Sequence, residues 1–400
     1  MNVLFLGTAL PPVILNQYIN KGNISDIPAY VFGWNFVRSL IDNNINVSVI
    51  NDLKMPYFPK NKKLFVDVIQ YNAYNLSYLP ITKMNINMVE KISKQIRINT
   101  LLRKKIKKSI DVIMIYSLHS PYLIPAIKYA KKKNIPIITI VPDLPQYMSS
   151  NYSGIKKFLK KYDMNRIKKL ENDINGFIIL TEYMKNYINV SKRKTLIIEG
   201  IANTEYYNYS DICLKKDYIL YTGAVEKRYG LPNLINSYLT SKVDSELWIC
   251  GDGDYVEELK NICKLYSNIK YLGIKNRNEI IVLQQNAQLL VNPRSKLDKY
   301  TELSFPSKTI EYLLSATPVM MERLKGIPEE YFKYIIDAGD DWKLSISNYF
   351  QIESKKRKKI GLDGRNFILN NKTSLIQGKK IHNFIKDVCS QYKKCIKEGE

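Results

Sequence analysis

The segment from Tyr300 to Met321 contains the residues whose types and spacing best suit a chemical site. Pro306 introduces a predicted helix there, because proline is tolerated in a first helical turn but not in a helix interior. The backbone N–H groups of Ser307–Thr309 then lie at the beginning of the helix, where they lack helical acceptors and can bind phosphate. Lys308 adds a positive charge, and Glu311 places a carboxylate one turn further on that can accept hydrogen bonds from a ribose diol. Phosphate and diol groups at this spacing indicate a nucleotide diphosphate-sugar.

Arg294 follows the predicted strand Leu289–Asn292 and precedes the Ser307 turn by about a dozen residues. We expect it to point into the same crevice, where its planar guanidinium suits a diphosphate. The alternative is an arginine at the rim that pairs with Asp298 or Glu302.

Two loops that contain glycine follow predicted strands nearby. In the loop that begins at Gly223, the backbone can approach a ligand closely, and Lys227 or Arg228 can pair with a phosphate. An ordinary surface loop explains the same residues equally well. Gly251 and Gly253 can also bring backbone close to a nucleotide, although a tight turn accounts better for that pair alone.

Three residues of the first half also follow runs that resemble strands, namely Gly7, His119 and Asp143. In parallel sheets, ligands bind beyond the carboxyl ends of the strands, so these residues are candidates for binding an acceptor. A purely structural role explains His119 equally well. Asp143 can bind acceptor hydroxyls or cap the turn that follows it.

The elements that must position these residues alternate between strand and helix. Val3–Leu6, Tyr30–Ile41 and Val47–Ile50 predict a βαβ unit, with a loop that contains Pro11-Pro12 after its first strand. The alternation restarts at Tyr218–Thr222 after a connector at 201–216. The predicted fold class is therefore α/β with two Rossmann-like domains. Their predicted limits are 1–203, which binds the acceptor, 204–375, which binds the nucleotide-sugar, and 376–400, a C-terminal helix that can return to the first domain.

Charge and cysteine content narrow the function classes. Residues 1–200 hold 30 Lys and Arg against 12 Asp and Glu, so +18 of the net charge of +24 lies in the first half. That half is expected to face an anionic partner.

The five cysteines lack metal-ligand spacing and the two histidines cannot form a metal cluster, so we expect neither a disulfide framework nor a metal site. No apolar run approaches the length of a spanning helix and no signal peptide is expected, which predicts a cytoplasmic protein.

The segment Val89–Ile110 predicts a basic amphipathic helix. Its apolar residues recur at helical spacing, at Val89, Ile92, Ile96, Leu102, Ile106 and Ile110. The opposite face carries lysine and arginine, at Lys91, Lys94, Arg97, Arg103, Lys104, Lys105, Lys107 and Lys108. We expect the apolar face to be buried in the domain and the basic face to contact anionic headgroups, while a solvated outer face is the alternative. No RNA-binding motif is present, so no nucleic-acid partner is expected.

The second half resembles the donor domain of GT-B glycosyltransferases of family 4. The matching segments are YTGAVEKRYGL (221–231), WICGDGD (248–254), NIKYLG (268–273), LLVNPR (289–294) and FPSKTIEYLLSATPVM (305–320). The whole chain resembles bacterial members that build capsular or exopolysaccharide repeat units, through YSLHSP (116–121), IVPDLPQYM (140–148), LTEYM (180–184) and IIEGI (197–201). The segment 305–320 is the most specific of these.

The resemblance implies two Rossmann-like domains that face each other across a cleft, and a retaining sugar transfer without a metal or cofactor. Glu311 matches the glutamate that holds the ribose, Ser307–Thr309 match the amides that meet the diphosphate, and His119 matches a histidine near the transferred sugar. In the family, seven residues separate a pair of glutamates. Counting back from Glu311 reaches Leu303, so Glu302 is one place from the expected position.

A second departure concerns the cations of the donor site. Ala224 and Tyr229 stand where the resemblance expects an arginine and a lysine after the strand that ends at Gly223. The candidate substitutes are Lys227, Arg228, Arg294 and Lys308.

The sequence thus predicts a retaining hexosyltransferase that acts on a polyprenyl-pyrophosphate-linked saccharide at the inner face of the cell membrane. Predicted catalytic residues are His119, Arg294, Lys308 and Glu302. Predicted donor-binding residues are Gly223, Arg228, Gly251, Gly253, Arg294, Ser307, Lys308, Thr309 and Glu311. Predicted acceptor-binding residues are Gly7, His119 and Asp143. The alternatives are a nucleotide-sugar epimerase of similar build and a non-catalytic basic adaptor for a membrane or nucleic acid.

Overall fold

The computed structural model describes residues 1–398 except 21–23, 67–71, 74, 88, 105, 107–108, 145–153, 191–192, 206 and 208–216. Most of the predicted connector 201–216 lies outside the described residues. The chain divides into two units: Met1–Ile201 together with Ser374–Glu400, and Ala202–Thr373. Each unit is built on a largely parallel sheet with helices, which confirms the predicted α/β class with two domains.

The first unit begins with fifteen helices and strands in chain order. They are β1 (Asn2–Gly7), α1 (Pro12–Asn20), α2 (Ile27–Ile41), β2 (Asn46–Asn51), β3 (Phe65–Val66), β4 (Asn72–Ala73), β5 (Leu76–Pro80), β6 (Lys83–Met84), α3 (Val89–Lys104), β7 (Val112–Tyr116), α4 (Ser120–Lys133), β8 (Ile137–Val141), α5 (Gly154–Leu170), β9 (Gly176–Ile179) and β10 (Lys194–Ile197).

The main sheet of the first unit has the strand order β10-β9-β8-β7-β1-β2-β5-β4. Its strands are parallel apart from the antiparallel pair β4–β5 at one edge. The central strands β1, β7 and β8 are almost wholly buried apolar runs, which is typical of parallel strands covered on both faces. The direction in which strands are added reverses between β1 and β7. In open α/β sheets, such a switch point is where ligands bind beyond the carboxyl ends.

The region after β1 differs from the sequence prediction, which had a loop there. Pro12 begins α1, and Ile14 and Leu15 are buried against the core of the first unit. Proline at a first helical position leaves no N–H without an acceptor, so it is compatible with a helix that starts at that residue.

The C-terminal helix α12 (Ser374–Glu398) belongs to the first unit. It packs against α2, where a Cβ on Gly378 would lie 2.1 Å from the backbone oxygen of Ser39. The side chain of Gln377 donates a hydrogen bond of 3.1 Å to the backbone oxygen of Gly200. Ile381, Phe384, Ile385 and Val388 are part of the first unit's hydrophobic core, so the last helix is needed to complete that core.

The second unit contains six strands and six helices among the described residues. They are β11 (Tyr218–Thr222), α6 (Leu231–Ser241), β12 (Glu246–Cys250), α7 (Val256–Leu265), β13 (Ile269–Gly273), α8 (Arg277–Asn286), β14 (Leu289–Asn292), α9 (Lys308–Leu314), β15 (Val319–Met321), β16 (Ile336–Asp337), α10 (Trp342–Gln351) and α11 (Ser354–Asn371).

The sheet of the second unit has the parallel strand order β13-β12-β11-β14-β15-β16. Its switch point lies between β11 and β14. The loops that follow these two strands begin at Gly223 and Pro293, the regions that the sequence analysis singled out. Among the helices of the described residues, none is both long and apolar enough to cross a membrane.

Candidate functional site

Helix α9 lies beside the switch point of the second unit and is fixed to the end of β11. The hydroxyl of Tyr312 accepts a hydrogen bond of 2.9 Å from the backbone N–H of Thr222 and donates one of 3.0 Å to the backbone oxygen of Thr222. Ile310, Leu313 and Leu314 of this helix are buried. The beginning of α9, with Ser307 as its N-cap residue, is therefore held at the carboxyl end of the sheet.

Glu311 is in the first turn of α9, and its side chain is 19% exposed. Its Oε1 accepts hydrogen bonds of 2.8 Å from Lys308 Nζ and 2.8 Å from Gln284 Nε2. Burial raises the pKa of this carboxyl, but the charge of Lys308 and the other cationic and amide partners outweigh burial and hold the pKa below its usual value. Glu311 is therefore an ionised acceptor in a fixed orientation, which is the state required to bind a sugar diol.

The glycines of the two predicted backbone-approach loops have a structural explanation. Gly251 has a φ of +142°, and a Cβ there would lie 1.7 Å from the backbone oxygen of Gly223. A Cβ on Gly253 would lie 2.3 Å from the backbone oxygen of Val225. The two loops pack so closely on each other that side chains do not fit, whether or not a ligand is also approached. The donor-binding roles of these glycines stay predictions.

The four candidate cations differ in their partners. Three of them have a carboxylate partner: Lys227 Nζ with Glu258 at 2.5 Å, Arg228 Nε with Glu226 at 2.5 Å, and Lys308 Nζ with Glu311 at 2.8 Å. Arg294 has no carboxylate partner among the residues that the structure describes, and its guanidinium lies over the rings of Tyr229 and Tyr300. The alternative that Arg294 pairs with Asp298 or Glu302 is therefore wrong for the described part of the chain.

Glu302, the predicted first glutamate, lies in a single turn of 3-10 helix at Lys299–Glu302. Its Oε1 is 2.6 Å from Lys325 Nζ, and its side chain is partly exposed. Whether it acts in catalysis stays a prediction.

The three predicted acceptor residues lie at the carboxyl ends of three neighbouring strands of the first unit. Gly7 ends β1, His119 lies between β7 and α4, and Asp143 follows β8. Burial, followed by the positive charge of Lys94, lowers the pKa of His119 well below its usual value. The imidazole is therefore neutral at neutral pH, and the structure brings these residues to one edge of the sheet.

A buried charged cluster next to this edge was not found from the sequence. Asp52, which follows β2, accepts hydrogen bonds of 2.6 Å each from Lys83 Nζ and Tyr122 OH, and its Oδ2 is 2.6 Å from Lys94 Nζ. Glu90 Oε1 contacts the same two ammonium groups at 2.5 and 2.7 Å. Burial raises the pKa of Asp52, but Lys94 and Lys83 outweigh it and lower the pKa far below its usual value. We call these five residues the Asp52 cluster.

The Asp52 cluster changes the predicted orientation of α3. Lys94, predicted on the solvated basic face, is buried because Asp52 and Glu90 bind it. Ile92 and Ile96, predicted to be buried, are 64% and 62% exposed. The helix ends at Lys104, and Lys105, Lys107 and Lys108 of the predicted basic face lie outside the described residues.

Solved structures of other proteins show which fold this chain has. The chain aligns with sucrose-phosphate synthase from Thermosynechococcus elongatus at a TM-score of 0.67 and 11% identity, covering 98% of this chain and 100% of that one. HepE from Anabaena in complex with UDP-glucose aligns at 0.55 and 12% identity, covering 100% of both chains. The lipopolysaccharide outer core galactosyltransferase WaaB aligns at 0.57 and 14% identity, covering 97% and 99%. The two parallel-sheet α/β units match these GT-B structures, which confirms the predicted fold class.

The sequence of the second unit is also similar to a known family. Residues 205–386 match the family model "Glycosyl transferases group 1". The matched segment contains the switch-point loops and α9 with Lys308 and Glu311. No curated protein sequence is significantly similar to the chain. The family match and the fold together support a glycosyltransferase.

Proposed function

We propose that this protein transfers a hexose or N-acetylhexosamine from a nucleotide-diphosphate sugar to an acceptor hydroxyl, with retention of configuration and without a metal. The observation that carries the proposal is the placement of two side chains around the β11–β14 switch point: an ionised Glu311 and Arg294, a cation that has no carboxylate partner in the described part of the chain. A carboxylate suits the ribose diol and a guanidinium suits the diphosphate. The match of residues 205–386 to glycosyl transferases group 1 supports the same ligand class.

The proposed step breaks the bond between the anomeric carbon and the diphosphate oxygen and forms a bond to the acceptor oxygen on the same face. The acceptor loses its proton to the departing diphosphate, whose negative charge grows as the bond breaks. Arg294, Lys308 and the N–H groups of Ser307 and Lys308 stabilise that charge. The N–H of Thr309, which the sequence analysis also assigned to the diphosphate, donates a hydrogen bond of 2.8 Å to the backbone oxygen of Pro306 instead. In this scheme Lys308 must leave Oε1 of Glu311 or bridge it to the diphosphate, because the two are 2.8 Å apart.

In the first unit, the role of His119 follows the resemblance, and the roles of Gly7 and Asp143 follow from their positions at strand ends. His119 lies near the transferred sugar, and Gly7 and Asp143 bind the acceptor. Since its pKa is lowered, His119 is a neutral hydrogen-bonding group in this scheme and not a cation. Glu302 retains its proposed catalytic role.

Nucleotide binding tests the donor site before the sugar is known. UDP or GDP at millimolar concentration is expected to raise the melting temperature of the whole chain, and the Lys308→Ala variant should show a smaller rise. Lys325→Ala is the matched control, because that lysine also forms an ion pair with a nearby glutamate, Glu302, but is not part of the proposed donor site. If neither nucleotide protects the protein, the proposal fails. A screen of UDP- and GDP-sugars for transfer or hydrolysis then identifies the donor.

We further propose that the acceptor is a saccharide linked to a polyprenyl pyrophosphate and that the first unit binds the inner face of the cell membrane. Ten of the large apolar side chains that the described residues expose lie in three segments of the first unit: Tyr57, Phe58, Leu64 and Phe65; Val89, Ile92 and Ile96; and Phe158, Leu159 and Tyr162. We call this set the apolar-basic face, since exposed lysines such as Lys62, Lys91 and Lys161 lie among them.

The three segments of the apolar-basic face are linked to one another. Tyr57 OH donates a hydrogen bond of 3.1 Å to Glu90 at the beginning of α3. Lys91 Nζ of α3 is 3.3 Å from Asp163 Oδ2 of α5. Apolar side chains among lysines suit a bilayer with anionic headgroups. The apolar side chains insert into the membrane interface, while the lysine ammonium groups bind the phosphates of the headgroups. The contact thus involves the exposed isoleucines and not only the basic face of α3.

Vesicle co-sedimentation tests the membrane contact independently of transfer. The protein should bind phosphatidylglycerol vesicles and not phosphatidylcholine vesicles, and an Ile92→Ser/Ile96→Ser variant should bind at least tenfold more weakly. Leu265→Ser/Ile274→Ser is the control, since those side chains are 77% and 74% exposed in the second unit. Equal loss in both double variants, or binding that does not depend on lipid charge, would overturn the proposed surface and leave the donor site untouched.

A further inference from the structure

Tyr229 occupies the position at which the resemblance expects a lysine, yet the structure places a different cation on its ring. The guanidinium carbon of Arg294 lies 4.4 Å from the centre of the Tyr229 ring. It also lies 6.0 Å from the ring centre of Tyr300, and the two rings are 6.3 Å apart at an angle of 63°. Arg294 is therefore in contact with two tyrosines that come from different loops.

The backbone fixes this contact. Gly230, directly after Tyr229, has a φ of +82°, and a Cβ there would lie 1.9 Å from the backbone oxygen of Pro293. The residue that precedes Arg294 and the residue that follows Tyr229 are thus packed without space between them. This close approach brings the loop after β11, which carries Tyr229, next to the loop after β14, which carries Arg294.

Tyr300 has a feature that points to a partner outside the described residues. Its hydroxyl oxygen is buried and has no hydrogen-bond partner among them. Buried hydroxyl groups in folded proteins are nearly always hydrogen-bonded, because an unpaired one is energetically unfavourable. The unpaired hydroxyl lies on the aromatic ring that approaches Arg294.

Two guanidinium groups lie over the Tyr229 ring, and among the described residues only that of Arg294 has no hydrogen-bonded or carboxylate partner. Arg228 lies at 4.8 Å from the ring centre, but its Nε is bound to Glu226 and its Nη2 donates a hydrogen bond of 3.1 Å to the Tyr229 hydroxyl. Arg294 interacts with aromatic faces, which hold a guanidinium through its flat side and leave its N–H edges available. A diphosphate is bound through those edges, often by two parallel hydrogen bonds.

We propose that Tyr229 and Tyr300 are positioning residues that hold Arg294 towards the donor diphosphate, so that Arg294 takes over the task of the lysine missing at position 229. This inference rests on the proposed function of the second unit as the donor site. It adds that the cation comes from the loop after β14 and is oriented by aromatic rings from the loop after β11 and from the turn at Lys299–Glu302.

Isothermal titration of the whole chain with UDP and UMP, or with GDP and GMP, tests the inference without an identified sugar. Tyr229→Leu should weaken binding of the nucleoside diphosphate about 3- to 30-fold and leave the monophosphate nearly unchanged. Tyr229→Phe keeps the ring and removes only the hydroxyl that accepts a hydrogen bond of 3.1 Å from Arg228 Nη2, so it should bind the diphosphate much more tightly than Tyr229→Leu does. In the Arg294→Ala background, Tyr229→Leu should have no further effect, because the tyrosine acts through the arginine.

Two results would overturn the inference while nucleotide binding persists. One is equal weakening of di- and monophosphate binding by Tyr229→Leu, which would indicate a general structural role. The other is an undiminished effect of Tyr229→Leu when Arg294 is already alanine. If the wild type binds none of the four nucleotides, the proposed function itself fails, and that outcome is distinct from both.

Tyr300→Phe, which removes the unpaired hydroxyl and retains the ring, should lower diphosphate affinity less than Tyr300→Leu does.

Discussion

Two groups of charged side chains, one in each unit, differ in how completely their charges are matched. In the Asp52 cluster, each of the two ammonium nitrogens lies 2.5 to 2.7 Å from an oxygen of both carboxylates, and the four side chains are 0 to 11% exposed. In the second unit, Glu311 and Lys308 are partly exposed and Arg294 has only aromatic partners among the described residues. The first group has no charge left over for a ligand, whereas the second has an excess positive charge.

The difference separates structural from functional charge by a physical criterion. A buried charge is strongly unfavourable unless it is paired, so a fully matched buried cluster is self-contained and fixes the segments that carry it. The Asp52 cluster joins the end of β2, the β6 strand, α3 and α4. A partly exposed cation without a carboxylate partner can instead exchange water for an anionic ligand. Substitutions in the two groups should therefore affect different measurements.

The largest effect is expected from Asp52→Asn. It leaves Lys83 and Lys94 with one carboxylate between them in the interior, and the first unit should lose about 3–5 kcal/mol of stability. Hydrogen exchange of β1, β2 and β7 in the whole chain measures this loss. Asp26→Asn is the matched control, since Asp26 pairs with Lys54 at the surface and should change stability by about 1 kcal/mol or less. A small effect of Asp52→Asn would mean that the cluster is not self-contained.

Acid should remove a second contribution from the same cluster. Burial raises the pKa of Glu90, but Lys94 and Lys83 outweigh it and lower the pKa from 4.5 to about 2. Because the folded pKa is lowered, the stabilisation is complete above pH 4.5 and is lost as the pH falls towards 2, with a total of about 3 kcal/mol. Urea unfolding of the wild type and of Glu90→Gln should differ most at pH 6. More than half of that difference should be gone by pH 3, and a difference independent of pH would contradict the assignment.

A smaller effect, on binding and not on folding, is expected for Glu311→Gln. If the ionised carboxylate binds the ribose diol, the wild type should bind UDP more tightly than 2′-deoxy-UDP, or GDP more tightly than 2′-deoxy-GDP. The variant should lose about 1–3 kcal/mol of binding to the ribonucleotide and little to the deoxynucleotide. Titration calorimetry with both nucleotides measures the preference. An unchanged preference would remove Glu311 from the ribose and make the second group structural like the first.

Much of the fold follows from local patterns in the sequence. Apolar runs such as Ile137–Val141 alternate with amphipathic segments, so the βαβ repeats and the two α/β units could be predicted. The residues of α9 could be predicted as a candidate site because they are close together in sequence and begin a helix. The pair Pro11-Pro12 predicts a loop, but the structure has a helix that begins at Pro12, because proline is also tolerated at a first helical position.

The Asp52 cluster could not be predicted, because its members are spread from residue 52 to residue 122 and each is an ordinary surface type by itself. The predicted orientation of α3 is wrong for the same reason. Ile92 and Lys94 are both compatible with a helix, and the choice between them depended on Asp52 and Glu90, which bind the lysine in the interior.

The sequence by itself determined most of the secondary structure, the class of fold and the helix that begins after Pro306, because each of these depends on residues a few positions apart. Only the tertiary structure decided which charges are matched and which are available. That decision depends on contacts between distant segments, such as Lys94 with Asp52 and Tyr229 with Arg294, and on the burial that makes an unmatched charge unfavourable.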